Sequence, residues 1–267
     1  MKKWFQPILD ALETEQLLTE LPFATVFECV YLPAQKLVLH FIPLKKNAGV
    51  DQDYFVQKSR EAAALQLKCI HIREDVLKRH PELVIARIRA LTGNRKRIHA
   101  RATQGKRIDK PTAELFLDNN HMQQWVNAYY KFGLYHKDEL VAVATFSKSR
   151  TMLDGVVPYR SYELIRFASS SGVTVTGGLS KLLNLFIQEV QPAHIMTYTD
   201  NDWGTGEGFE KLGFSLVETI PPIPFYTDPE TLELFTEKQI SSDSHNLVRV
   251  YNSGSNKYVL DRRDYTS

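Results

Sequence analysis

The apolar positions of the first hundred residues alternate between strand-like and helix-like spacing. Residues 24–32 and 35–42 are dominated by Val, Phe, Tyr, Leu and Ile around a Pro33-Ala34 turn. Their β-branched and aromatic content predicts two strands. Residues 51–68 follow with helix-forming composition, and Phe55, Ala62 and Leu65 fall on one face. Cys69-Ile70-His71-Ile72 reads as a short strand, and residues 82–91 as a helix with Pro81 near its start and Gly93 just past its end. The order ββαβα suits a small α/β unit.

A second pattern begins near Arg97. Residues 98–102 alternate as a strand, and 112–117 open a helix. Residues 130–135 and 140–147 predict a hairpin around His136-Lys137-Asp138-Glu139, with 162–168 as a third strand. A loop rich in Ser, Thr and Gly then enters an amphipathic helix at 178–190, whose Leu179, Leu182, Leu183, Phe186 and Val190 recur at helical spacing. Residues 194–199 read as a strand, 208–212 as a short helix and 214–218 as a strand. The tail predicts an extended strand edge or the wall of a substrate cleft at 221–226, a loop at 241–244, and a hairpin of 247–250 with 257–260 across Asn252-Ser253-Gly254.

The longest apolar stretch, Leu140 to Phe146, is far short of the ~20 residues of a membrane helix, so no membrane span is expected. Asp10, Glu13 and Glu15 interrupt the N-terminal region where a secretory signal would need an apolar core, which makes a cytoplasmic chain the expectation. Two cysteines, Cys29 and Cys69, exclude a disulfide framework or a Cys-rich zinc module; both are expected as buried hydrophobes, and no metal is expected. His71 and His99 are expected as strand or core histidines.

A formal net charge of +2 over 267 residues conceals an asymmetry. Residues 68–110 hold 13 Lys and Arg against four Asp and Glu, while 111–267 are net acidic. The basic segment therefore reads either as a surface for DNA or RNA, with Arg95, Lys96, Arg97 and Arg101 as the candidate phosphate-binding residues, or as a junction facing the acidic half.

The element order from residue 97 onward, with Gly208-Phe209-Glu210-Lys211-Leu212-Gly213-Phe214, resembles the GCN5-related N-acetyltransferase (GNAT) family over roughly residues 97–226. Asn119-Asn120-His121, 139–146, 163–167, Gly177-Gly178-Leu179-Ser180-Lys181-Leu182 and Tyr198-Thr199-Asp200 further resemble phage and bacterial acyltransferase-like domains fused to endonuclease-like modules. The phage Mom family of adenine-modifying proteins shares some of these marks. The resemblance implies an α/β (α+β) fold: a GNAT-like domain with a central mixed sheet at 96–267, preceded at 1–95 by a small restriction-endonuclease-like α/β module. It also implies acetyl-CoA or another acyl-CoA as cofactor, held by Phe167, Ala168, Thr176, Gly177, Gly178, Ser180 and Lys181.

The residues themselves support part of this. A pyrophosphate needs converging backbone N–H groups at a helix start, which a Gly-containing loop supplies, although Gly177-Gly178 equally suits a tight entry and close packing. Acyl transfer to an amine needs a base and a proton donor for the leaving thiolate. Many relatives place a Tyr acid where this chain has Phe209, which has no proton to donate. Tyr198 and Asp200 are the substitutes, with Glu163 and His121 as candidate bases; Tyr198 equally reads as a strand-end aromatic and Asp200 as a turn cap. Trp203 reads as a loop anchor or a stacking platform.

At the N-terminal side, Tyr31-Leu32-Pro33 and 69–75 resemble strands of the endonuclease-type relatives. That alignment puts Cys29 at the position of a metal-binding Asp and His40 near the second carboxylate. Magnesium-type chemistry wants clustered carboxylates, so the module is expected to be an inactive nuclease. The leading expectation is an acyl-CoA-dependent acyltransferase; the alternative is a nucleic-acid-binding accessory or Mom-like base-modifying protein.

Overall fold

The N-terminal strand signals form a three-stranded sheet in the computed structural model, which describes residues 3–12, 25–47, 50–93, 95–240 and 246–263. The predicted loop at 241–244 lies outside the described residues, as does Ala24. In chain order the elements are α1 (Gln6–Ala11), β1 (Glu28–Leu32), β2 (Leu37–Ile42), α2 (Leu44–Asn47), α3 (Tyr54–Ala64), β3 (Lys68–Arg73), α4 (Glu74–Arg79) and α5 (Pro81–Leu91). Then come β4 (Lys96–His99), β5 (Gln104–Arg107), α6 (Lys110–Asn120), β6 (Tyr130–His136), β7 (Glu139–Phe146), β8 (Arg150–Asp154), β9 (Val157–Ser169), β10 (Val173–Thr176) and α7 (Gly178–Val190). The last are β11 (His194–Asp200), α8 (Glu207–Glu210), β12 (Ser215–Ile220), β13 (Pro224–Thr227), β14 (Leu234–Thr236), β15 (Val248–Tyr251) and β16 (Ser255–Asp261).

These elements make two units. The first comprises Met1–Ile85, Thr199–Gly206 and Glu218–Asn256; the second comprises Ala86–Tyr198, Glu207–Val217 and Lys257–Ser267. Neither is a contiguous block, because 218–256 joins the N-terminal residues.

In the first unit β2 is central, antiparallel to β1 and parallel to β3. All six residues of β2 are buried, which is why 37–42 is nearly continuous in apolar character around His40. Phe27, Ile42, Phe55 and Tyr251 form one apolar cluster, and Cys29, Val38, Ala62 and Cys69 another. A second sheet runs in the order β14-β13-β15, all antiparallel. Of the predicted edge at 221–226, only 224–226 is strand, and it lies at the centre of that sheet, with Pro224 as the first residue of β13, where its missing N–H costs least.

In the second unit the sheet order is β12-β16-β11-β9-β7-β6-β5, with β8 paired to β9. β7 is buried from Val141 to Phe146 and carries a helix on each face. Ala113, Phe116 and Leu117 of α6 pack with Val143 and Ala168, while Leu182, Leu183 and Phe186 of α7 pack with Leu134, Ala142, Ala144, Phe146 and Ile195. The β6–β7 turn places Lys137 and Asp138 at φ of 50° and 67°, the twist a two-residue hairpin requires.

Three expectations are corrected. Residues 247–250 and 257–260 do not form a hairpin, since β15 pairs with β13 and β16 lies between β12 and β11. Gly254 turns the chain between those strands at φ 76°, and a Cβ there would meet the Ile220 carbonyl oxygen at 2.3 Å. The strand at 98–102 ends at His99 in a 3-10 turn, Ala100–Ala102. Finally, residues 173–176 are not loop but β10, parallel to β4.

Candidate functional site

The parallel pair β9 and β11 comes apart. Only Ser161, Tyr162 and Glu163 pair with His194, Ile195 and Met196, although β9 runs on to Ser169 and β11 to Asp200. A bulge supplies the reason: Thr145 of β7 faces Arg166 while Phe146 faces Leu164, which leaves Ile165 as an extra residue on β9. Such an insertion bends the strand and increases its twist. At the fork, the Thr197 hydroxyl donates to the Leu164 carbonyl at 2.9 Å in place of a ladder bond. Beyond it, Phe167 and Ala168 pair with Ala144 and Val143 of β7 and, among the described residues, have no strand on the β11 side.

The start of α7 is the second component. Gly177 caps the helix at φ 76°, a left-handed conformation that costs other residues about 1–2 kcal/mol. Gly178 is buried, and a Cβ there would meet two side-chain carbons of Val175 at 3.0 Å. Both glycines therefore serve the tight entry and close packing. They also leave the N–H groups of Gly178, Leu179 and Ser180 without intrahelical acceptors, as at any helix start. The Lys181 ammonium is used elsewhere: it donates to the Ala100 carbonyl at 2.9 Å and to the Thr103 carbonyl, tying α7 to the 3-10 turn after β4. Thr176 is exposed at the end of β10.

Tyr198 stands 41% exposed on β11, a candidate acid on an accessible stretch of strand. Glu163 is the last β9 residue paired with β11; its N–H donates to the Ser147 hydroxyl at 2.9 Å. Asp200 belongs to the first unit, where its carboxylate accepts the Asp202 N–H at 3.0 Å and its carbonyl accepts from Trp203 and Gly204. That is the turn-cap role. His121 follows α6, and its Nδ1 accepts the Gln123 N–H at 3.1 Å. Burial, with Arg166 and Arg87 nearby, pushes its pKa down to about 3, so the neutral imidazole has little affinity for a proton at neutral pH. Phe209 packs edge-on against Phe214 at 5.5 Å and beside Tyr258 at 5.9 Å, a half-buried ring against the core.

The candidate cations separate into two kinds. Lys96, Arg97 and Arg101 are exposed. Arg95 is half-buried and donates to the Val173 carbonyl at 3.3 Å, with its pKa lowered by burial and by Arg87 and Arg89.

No family model and no curated protein matches the chain. The likenesses are to solved acetyltransferases. The ribosomal-protein-S18-alanine N-acetyltransferase of Escherichia coli is 14% identical, with a TM-score of 0.39, over 60% of this chain and 93% of that one. A Bacillus subtilis acetyltransferase in complex with CoA is 13% identical, TM-score 0.39, over 60% and 98%. A GNAT family acetyltransferase from Elizabethkingia anophelis with acetyl-CoA bound is 9% identical, TM-score 0.34, over 60% and 98%. At those TM-scores the likeness carries no argument, and function rests on the chain's own geometry.

Sequence reasoning missed two features of the chemistry. Arg166, next to the bulge, donates to the Gln124 carbonyl at 3.2 Å and the Ile165 carbonyl at 2.9 Å. In the first unit, His40, Cys69 and His71 converge in the interior. No local spacing signals either: Arg166 reaches a loop carbonyl 42 residues away, and His40 meets His71 only through the β2–β3 register. Among the described residues no helix is long and apolar enough to cross a membrane.

Proposed function

We propose that the second unit is an acyltransferase that takes an acyl-CoA, acetyl-CoA or another, between β9 and β11. The observation that carries this is the parting of those two parallel strands beyond Glu163 and Met196, which leaves one edge of β9 without a strand partner among the described residues. The residues suit the ligand. The edge at Phe167 and Ala168 offers backbone groups to amides, and the first turn of α7 offers N–H groups and positive dipole to a pyrophosphate. When bound, acyl-CoA supplies a thioester carbonyl open to attack by a nucleophile. Tyr198 donates the proton that the leaving thiolate requires, since Phe209 has none to give. Glu163, at the fork, accepts the proton that the attacking amine releases.

Isothermal titration of the full chain with acetyl-CoA should give one binding site; a folded chain that produces no heat would sink the reading. Ser180→Asp sharpens the test. A carboxylate in the first turn favours the helix but repels a pyrophosphate. Binding should weaken by at least about tenfold, ~1.4 kcal/mol, while the thermal midpoint stays or rises.

The exposed Lys96, Arg97 and Arg101 favour a second reading, in which the acceptor or partner is a nucleic acid. Binding to a DNA duplex should then fall with salt, and replacing all three by Ala should flatten the dependence, by roughly 0.9 in logarithmic slope for each phosphate that is no longer neutralised. A slope unchanged in that variant rules these residues out. Within the same proposal, the N-terminal part of the first unit derives from a nuclease module that has lost its acids: Cys29 and His40 face each other across β1 and β2 where carboxylates would be needed.

A further inference from the structure

We propose that His40, Cys69 and His71 form a buried structural site for a divalent zinc ion in the first unit. The strand register assembles it. His40 is opposite His71 in the parallel β2–β3 pair, Cys69 lies two residues before His71 and therefore on the same face, and Cys29 is opposite His40 on β1. All four side chains thus stand on one face of the sheet. One donor atom from each of His40, Cys69 and His71 lies within 4.8 Å of the others.

The donor atoms themselves are aimed inward. The Nδ1 atoms of His40 and His71 are 2.9 Å apart, and the Cys69 sulfur is 4.0 Å from the His71 Nδ1. Tetrahedral zinc with ordinary bond lengths places two nitrogens about 3.3 Å apart and a nitrogen and sulfur about 3.6 Å apart. These two separations are within about 0.5 Å of what the ion needs, while the third, from Cys69 to His40, reaches up to 4.8 Å and must shorten when the ion binds. The outward nitrogens are held as well: His40 Nε2 is 2.8 Å from the Thr25 hydroxyl and His71 Nε2 is 2.8 Å from the Ser59 hydroxyl. A polar partner on the far nitrogen is how metal-bound imidazoles are oriented. If those nitrogens donate their protons to the hydroxyls, two Nδ1 lone pairs point at each other, and a cation between them removes the repulsion.

The choice of zinc follows from the donors. Two imidazoles and a thiol are the set of a borderline-soft ion, and the absence of a carboxylate among the three disfavours magnesium or calcium. Exposures of 0% for His40, 2% for His71 and 7% for Cys69 leave no open path for substrate, so the role is structural. Burial disfavours charge here: with Cys29 and Asp202 it holds the Cys69 thiol up, with His71 and Lys58 it holds the His40 imidazole down, and at His71 it outweighs the opposing pull of Asp202. Zinc would take the thiolate and release its proton to solvent. The Cys29 thiol is engaged elsewhere, donating to the Phe27 carbonyl at 3.8 Å, so three side chains of this chain hold the ion.

The test uses the full chain purified without metal-binding tags. Elemental analysis should find one zinc per chain after refolding with zinc. The cobalt-loaded chain should show the visible bands of a tetrahedral site and a thiolate-to-cobalt band in the near ultraviolet, both lost in Cys69→Ala. To keep the test independent of whether that variant folds, the wild-type chain is also stripped with a chelator: its thermal midpoint should fall and recover with zinc. A folded chain that stays metal-free in excess zinc, with a midpoint indifferent to chelator and zinc, overturns the site and leaves an ordinary His–His hydrogen bond. Acetyl-CoA binding, which uses the second unit, is expected to be unaffected either way.

Discussion

Replacing Asp75 with Ala is expected to destabilise the first unit by about 3–5 kcal/mol. Its carboxylate forms a two-pronged bridge to Arg73, Nε to Oδ1 at 3.1 Å and a terminal nitrogen to Oδ2 at 3.0 Å, with both side chains almost wholly buried. Burial pulls the pKa of Arg73 down, but Asp75, then Asp202 and Asp200, outweigh it and hold it above its ordinary value. Removing Asp75 therefore leaves a buried guanidinium with only the more distant acids as compensation. Those acids set the limit of rescue. The double variant Arg73→Met/Asp75→Leu should recover part of the loss, not all, because Asp200 and Asp202 then lose a cation. Hydrogen exchange at β2 and β3 in a urea series isolates the first unit; equal losses in the single and double variants would contradict the argument.

The second large effect is expected at Phe186. Its ring is fully buried and stacks on Phe146 at 3.9 Å with planes 3° apart, while Tyr130 and Tyr162 meet it edge-on at 5.4 Å. Phe186→Ala removes the aromatic centre of the packing between α7 and the sheet and should cost about 3–5 kcal/mol. Phe186→Leu, which keeps most of the volume, should cost markedly less. Because α7 also presents its first turn to the proposed ligand, saturating acetyl-CoA should raise the midpoint of the Ala variant if the helix still docks. Chemical denaturation with and without the ligand measures both.

Phe186 is legible in the sequence, because five apolar residues at helical spacing leave little alternative to an amphipathic helix. Leu140 to Phe146 is legible for a related reason: a strand covered on both faces is apolar at consecutive positions. By contrast, β5 is Gln-Gly-Lys-Arg and β8 is exposed throughout, so neither carries a pattern above its loops. The candidate site divides the same way. Gly177-Gly178 and Tyr198 stand out by local composition, but the strand parting depends on a single extra residue at Ile165, which no run of letters announces. Asp200 pairs naturally with Tyr198 because they are two apart on one strand; its carboxylate instead closes the turn that follows. His71 reads as an isolated strand or core histidine and His40 as a lone imidazole near a carboxylate's place, because the register that sets them face to face is long-range.

The sheet order has a further implication for biosynthesis. β16 begins at Ser255 and yet lies inside the sheet, between β12 and β11. A ribosome has therefore made everything through Gly254 before the strand that joins those two exists. Until then β11 and β12 present open edges, the kind that pair with neighbouring nascent chains. A stop codon anywhere between β12 and Ser255 would leave that gap for good. Such fragments would carry almost every strand of the sheet and still be candidates for aggregation and clearance rather than for partial function.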